Sequence, residues 1–169
     1  VDTTVPVISS QKIYNQTLAT STYSRDSDAL QISATIPNSD AAHIWLDVSS
    51  LAGSATYNKV SCASPTGGII CTYNSNIVTY TLLAGFAGAT GDGVRQVVFM
   101  AQNTSGGNDQ SAIASITADN TAPSVAANAL TTPTGGETWS GSTQAITWNT
   151  TGISDAIGVK DVILEYSIG

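Results

Sequence analysis

The pattern Asp-x-Thr-x-Pro occurs twice, as Asp2-Thr-Thr-Val-Pro6 and as Asp119-Asn-Thr-Ala-Pro123. The interval between the two matches one β-sandwich domain of about 100 residues. A chain punctuated in this way divides into a complete module over residues 1–121 and the opening of a second over residues 122–169. Behind the two prolines the sequences diverge, and Gly135-Gly-Glu-Thr-Trp139 has no counterpart in the first module. The joint recurs between unlike modules.

Period-two alternation runs through the first module and reads as short strands separated by turn residues. Residues 5–13 open the series, and residues 29–36 place Leu30, Ile32, Ala34 and Ile36 on one face. Residues 43–51, 77–83, 94–102 and 110–118 follow, the last with Ala112, Ala114, Ile116 and Ala118 on one face. Residues 55–62 and 69–73 read as the two arms of a hairpin that reverses at Pro65 and Gly67-Gly68, with Cys62 and Cys71 tied across it. Roughly seven or eight strands with these separations predict an all-β, immunoglobulin-like β-sandwich, one complete and one partial. In the second module, strands near residues 125–130, 144–148 and 159–168 leave Ile146, Trp148, Val162, Leu164 and Tyr166 with too little sheet to cover them. The expectation is that the natural chain continues or that a neighbour supplies the missing strands.

Charge narrows the partners. Only 10% of residues are charged, and the formal net charge is −7 without a Lys/Arg cluster. This argues against nucleic acid and leaves divalent cations, calcium above all, as the ions to consider. An even cysteine pair with a turn between its members points to a disulfide and an oxidising, extracellular compartment. Zinc lacks ligands, because His43 is the sole histidine. No segment reaches the roughly 18 apolar residues of a membrane span, and no signal peptide opens the sequence. An anchor or secretion signal is expected outside these residues.

The boundary pattern, together with Gly93-Val-Arg-Gln-Val-Val-Phe-Met-Ala-Gln-Asn103 and the run through Ile113 to Pro123, resembles the bacterial immunoglobulin-like repeats of surface adhesins. The sequence differs from that family in having Asn103 where an Asp is frequent. The second module resembles a different secreted bacterial sandwich module, on Leu130-x-x-Pro133-x-Gly-Gly-Glu-x-Trp139, Gly141, Ile146-Thr-Trp148 and Leu164-Glu-Tyr-Ser167. Both resemblances imply structural spacers without catalysis. The first also implies calcium at the linker, with Asp2 and Asp119 at equivalent edges and Asn120 plus a loop carboxylate, Asp92 or Asp155, as further ligands. Asp26-Ser-Asp28 is the nearest approach to a paired-carboxylate ligand set, and a solvated turn explains it equally well.

Other chemistry finds little support. His43 has no Gly-x-Ser-x-Gly partner, and Glu137 and Glu165 are the only glutamates. Tyr57 and Tyr73 are the aromatic residues best placed to contact surface glycans, whereas Trp148 reads as core and Trp45 as ambiguous. Asn15, Asn103 and Asn149 each open an N-glycosylation sequon. The expected function is a non-enzymatic adhesive or structural module whose partners are neighbouring modules or like subunits. The alternatives are a filament or surface-layer subunit completed by a neighbour's strands, and an accessory or carbohydrate-binding module of a secreted hydrolase.

Overall fold

Alternation puts every second side chain on one face of a strand, so a sheet with one apolar face must cover it with another. A computed structural model of the chain describes residues 4–37, 42–86, 88, 91–106, 109–159 and 161–165, with the backbone alone for Asp109. Contacts divide it into two units, Val1–Asn120 and Thr121–Gly169.

In the first unit, β1 (Ser9–Asn15), β3 (Leu30–Thr35), β6 (Ile70–Asn74) and β7 (Ile77–Leu82) form an antiparallel sheet in the order β1-β3-β7-β6. The second sheet takes β2 (Tyr23–Ser24), β4 (His43–Asp47), β5 (Val60–Ser61), β8 (Gly93–Gln102) and β9 (Asp109–Ala118) in the order β2-β9-β8-β4-β5. These are the A-B-E-D and G-F-C orders of an immunoglobulin-like sandwich, with β5 in the C′ position and β2 pairing parallel to β9.

The inward faces are those the alternation selects. Leu30, Ile32 and Ala34 pair with Leu82, Tyr80 and Val78 on one sheet. Opposite them, Leu46 pairs with Phe99, and Phe99 and Val97 face Ala112 and Ala114 of β9. Tyr80 crosses the gap. Its ring lies 6.3 Å from that of Phe99, and its hydroxyl sits 3.3 Å from the Ile44 carbonyl and 3.2 Å from the Val60 carbonyl, sharing one proton between them. Complete burial raises its pKa far above the usual tyrosine value. The β6–β7 hairpin turns on Ser75 and Asn76, both at positive φ (50° and 66°), as a two-residue type I′ turn requires.

Three expectations change. First, β1 begins at Ser9, because Pro6 has no N–H for a ladder and a bulge shifts the register between Ser9 and Lys12. Second, the strand expected over residues 43–51 stops at Asp47. Val48 and Leu51 are buried from a single turn, α1 (Ser49–Ala52), for which the Asp47 carboxylate accepts from the Ser49 amide (2.9 Å) and which Gly53 ends at φ 63°. Third, the Cys62–Cys71 disulfide is present but does not tie a hairpin. Cys62 follows β5 in one sheet and Cys71 lies in β6 of the other, so the bond staples the two sheets along their edge. The intervening loop crosses between sheets instead of reversing within one. Gly67 (φ +67°) lets it pass Tyr57, whose ring lies 2.4 Å from where a Cβ would stand.

The second unit has two short ladders, β10 (Ser124–Val125) with β13 (Ile153–Ser154) and β11 (Leu130–Thr132) with β12 (Thr147–Trp148). Its Gly-Gly-Glu motif is a self-closed turn. The Glu137 carboxylate accepts from the Thr134 hydroxyl (2.6 Å), the Thr134 amide and the Gly135 amide (2.7 Å), and these bonds lower its pKa to about 2. Among the described residues of this unit, Ala129 is the one buried apolar side chain. Residues 161–165 lie in no strand, contrary to expectation, since none of the described residues pairs with them in a ladder; Lys160 and residues 166–169 lie outside the described set.

Tyr80→Phe keeps the ring and removes the proton shared by the Ile44 and Val60 carbonyls. It should cost about 1–2 kcal/mol, read as a lower urea midpoint at unchanged slope. An unchanged midpoint would show that the hydroxyl does not bridge the sheets.

Candidate functional site

The sequence-predicted ligands converge in part. The register pairs Gly93 with Ala118 at one end of the β8–β9 ladder. Just beyond it, Asn120 joins two loops: its Oδ1 accepts from the Asp26 amide (2.8 Å), its own amide donates to Asp92 Oδ1 (2.7 Å), and its Nδ2 reaches the Gly91 carbonyl (3.5 Å). Asp119 donates its amide to the Ser24 carbonyl (2.8 Å), extending the parallel β2–β9 pairing by one rung. Arg95 Nη2 also donates to the Gly91 carbonyl (2.8 Å). Asp26, Asp92, Asp119 and Asn120 therefore gather at one pole and form a clamp around the last residues of the unit.

Buried polar groups hold the clamp in place. Asp28, with its side chain fully buried, accepts from Asn15 Nδ2 (2.7 Å) and the Arg25 amide (2.8 Å) at Oδ2, and from Arg25 Nη2 (3.1 Å) at Oδ1. Burial alone would raise its pKa, but the bonds from Asn15 and Arg25 outweigh that and hold it below the usual value. Asn15 in turn donates to the Tyr23 carbonyl and accepts from the Thr17 and Leu18 amides, leaving this buried amide satisfied. The result is a hydrogen-bonded turn that presents the Asp26 amide to Asn120. Asp26 and Asp28 do not act as a pair: one flanks the clamp, and the other is fully engaged inside the protein.

Among the described residues, no three His, Cys, Asp or Glu side chains come together in a way that would hold a metal ion. The described oxygens of Asn120 and Asp92 accept backbone amides instead. Asp2 lies outside the described residues. Asp155 belongs to the second unit, where its Oδ1 accepts from the Ile157 and Gly158 amides (2.8 and 3.1 Å).

The opposite pole has its own fastening, which the sequence reading missed. Asn103, buried just past the end of β8, donates from Nδ2 to the Thr4 carbonyl (3.0 Å) and accepts from the Ser105 amide and hydroxyl (3.1 and 2.7 Å). An ionised Asp at this place would have no proton for the Thr4 carbonyl. The side chains of Asn15 and Asn103 are thus buried and bonded, and of the three sequon asparagines only Asn149 is exposed.

The aromatic candidates are occupied. Tyr57 packs edge-on to Phe86 at 4.9 Å, and Tyr73 donates to the Ile36 carbonyl (2.6 Å) beside a cleft of about 330 Å³ that His43 and the disulfide also line. Trp45 stacks beside His43, with Lys59 Nζ 4.1 Å from its ring centre. No family model, curated protein or solved structure matches the chain.

Asp28 has a depressed folded pKa, so its contribution is full above its unfolded value of about 4 and is lost as pH falls through the folded value. Asp28→Asn should cost about 2 kcal/mol at neutral pH and flatten the acid limb of stability below about pH 4. Urea unfolding across that range checks this, and parallel acid limbs would remove Asp28 from the account.

Proposed function

We propose that the chain is a non-enzymatic extracellular structural module, a spacer in a multi-domain surface protein. One observation carries the reading: the first unit fastens its entering and leaving chain at opposite poles, through Asn103 to Thr4 and through Asn120 to Asp26 and Asp92. The ten-residue strand β8 separates those poles by about 30 Å. A module built this way passes the chain through itself and holds its exit against two loops, as a stiff link in an array needs. The inter-sheet disulfide favours an oxidising, extracellular setting. The open apolar side of the second unit supports the alternative of a subunit completed by strands from elsewhere.

Asn120→Ala should loosen the exit without unfolding the core. Amide order parameters for residues 119–121 are expected to fall from about 0.85 to below about 0.6, while β8 and β9 stay rigid. If the exit stays rigid in this variant, Asn120 is not what holds it.

Calcium at the joint is a separate proposal, supported by the gathering of Asp26, Asp92, Asp119 and Asn120 at one pole; an accepted amide does not by itself keep a cation from the Asn120 and Asp92 oxygens. If calcium stiffens the joint, adding chelator lowers the melting temperature, and an unchanged melting temperature counts against it.

A further inference from the structure

The loop that carries the chain from β5 to β6 is enclosed by the Cys62–Cys71 bond. Its residues 63–68, Ala-Ser-Pro-Thr-Gly-Gly, are all exposed and include no large side chain. Exposed loops of small residues are where endopeptidases nick a folded protein. Among the described residues, the amides of Ser64 and Thr66 donate to no protein acceptor, and the Thr66 carbonyl is held by one long bond, from the Ile69 amide (3.3 Å). Gly67 lies against the Tyr57 ring but has no side chain to hold it there. A segment so lightly tied opens without disturbing the sheets on either side.

Proline decides which bond is open to attack. Pro65 fixes its own φ and pushes Ser64 toward extended backbone, the shape in which a peptide pairs with a protease cleft. Such pairing uses the N–H and C=O of every second residue, so Ser64 and Thr66 pair while the missing N–H of Pro65 is turned away. The Ser64–Pro65 bond is itself closed, because the proline ring crowds an attacking enzyme. A specificity pocket for small side chains takes Thr66. We propose that Thr66–Gly67 is a processing site for an extracellular serine endopeptidase with such a pocket, and that the disulfide keeps the cut module in one piece until a dithiol reduces it. The enzyme's serine oxygen adds to the Thr66 carbonyl carbon, the bond to the Gly67 nitrogen breaks as that nitrogen takes a proton, and one water then frees the Thr66 carboxyl from the ester. The dithiol is oxidised to a disulfide as Cys62 and Cys71 become thiols. Between the two steps the covalent path from Thr4 to Asn120 runs through the S–S bond, with β5, which ends at Ser61, and β6, which begins at Ile70, both outside the cut. The inference does not rest on the spacer reading.

Brief treatment of the folded 169-residue chain with pancreatic elastase tests this, read by mass spectrometry with and without reductant. Within the first unit, the first bond cut is expected to be Thr66–Gly67. Without reductant that unit stays one covalent piece, heavier by one water, and the 15N amide spectrum of β8 and β9 is unchanged. In urea with dithiothreitol it parts into a piece ending at Thr66 and one starting at Gly67. Thr66→Arg should slow elastase at this bond by at least about tenfold and open the same bond to trypsin, whose pocket holds a carboxylate for arginine. A first cut elsewhere in the first unit, a cut made only at urea concentrations that unfold it, or trypsin sparing this bond in Thr66→Arg overturns the proposal. So do pieces that part in urea without reductant, because the disulfide would then not be what holds them.

Discussion

One phenol spans the two sheets of the first unit. Tyr80 rises from β7 between the apolar faces, touches Phe99 of the opposite sheet and hydrogen-bonds to carbonyls of β4 and β5. A buried hydroxyl must find such partners, so the position of β4 and β5 over β7 is set to within a hydrogen bond's tolerance. Packing alone tolerates more sliding than that. The edge disulfide adds a covalent limit on the same side, joining the end of β5 to β6. The remaining core residues fill a gap whose width and alignment these two links define.

Asparagine serves repeatedly where the chain must be held without a charge. Asn15, Asn103 and Asn120 each use the amide as donor and acceptor together, to backbone groups that no carboxylate or lysine satisfies alone. This suits a chain with only 10% charged residues. Its fastenings depend on geometry and weakly on ionic strength. Asp28 is the buried exception, and Arg25 and Asn15 accompany it.

Much of the sandwich was legible because each long strand buries one face. Leu30, Ile32, Ala34 and Ile36 alternate in the sequence and are all buried. The turn α1 was not legible: four residues are too few to show helical periodicity, although Val48 and Leu51 have its spacing. Sheet membership of β5 and β6 was not legible either, since Pro65, Gly67 and Gly68 allow a chain to reverse or to cross. At the boundary, Asp119 and Asn120 stood out through the repeated pattern. Asp92, 28 residues from Asn120, was one of two loop carboxylates the pattern suggested, whereas Asp26, 94 residues away, was not placed beside Asn120. Contacts so distant in sequence are set by the whole topology.

The placing of the two fastenings has a mechanical consequence. Tension applied at Thr4 and Asn120 pulls along the axes of β1 and β9, from opposite poles. Each terminal strand is then dragged lengthwise past its neighbour, β1 past β3 and β9 past β8, so many ladder bonds resist at once instead of opening one after another. The same bonds that give modest stability at rest become a shear joint under load.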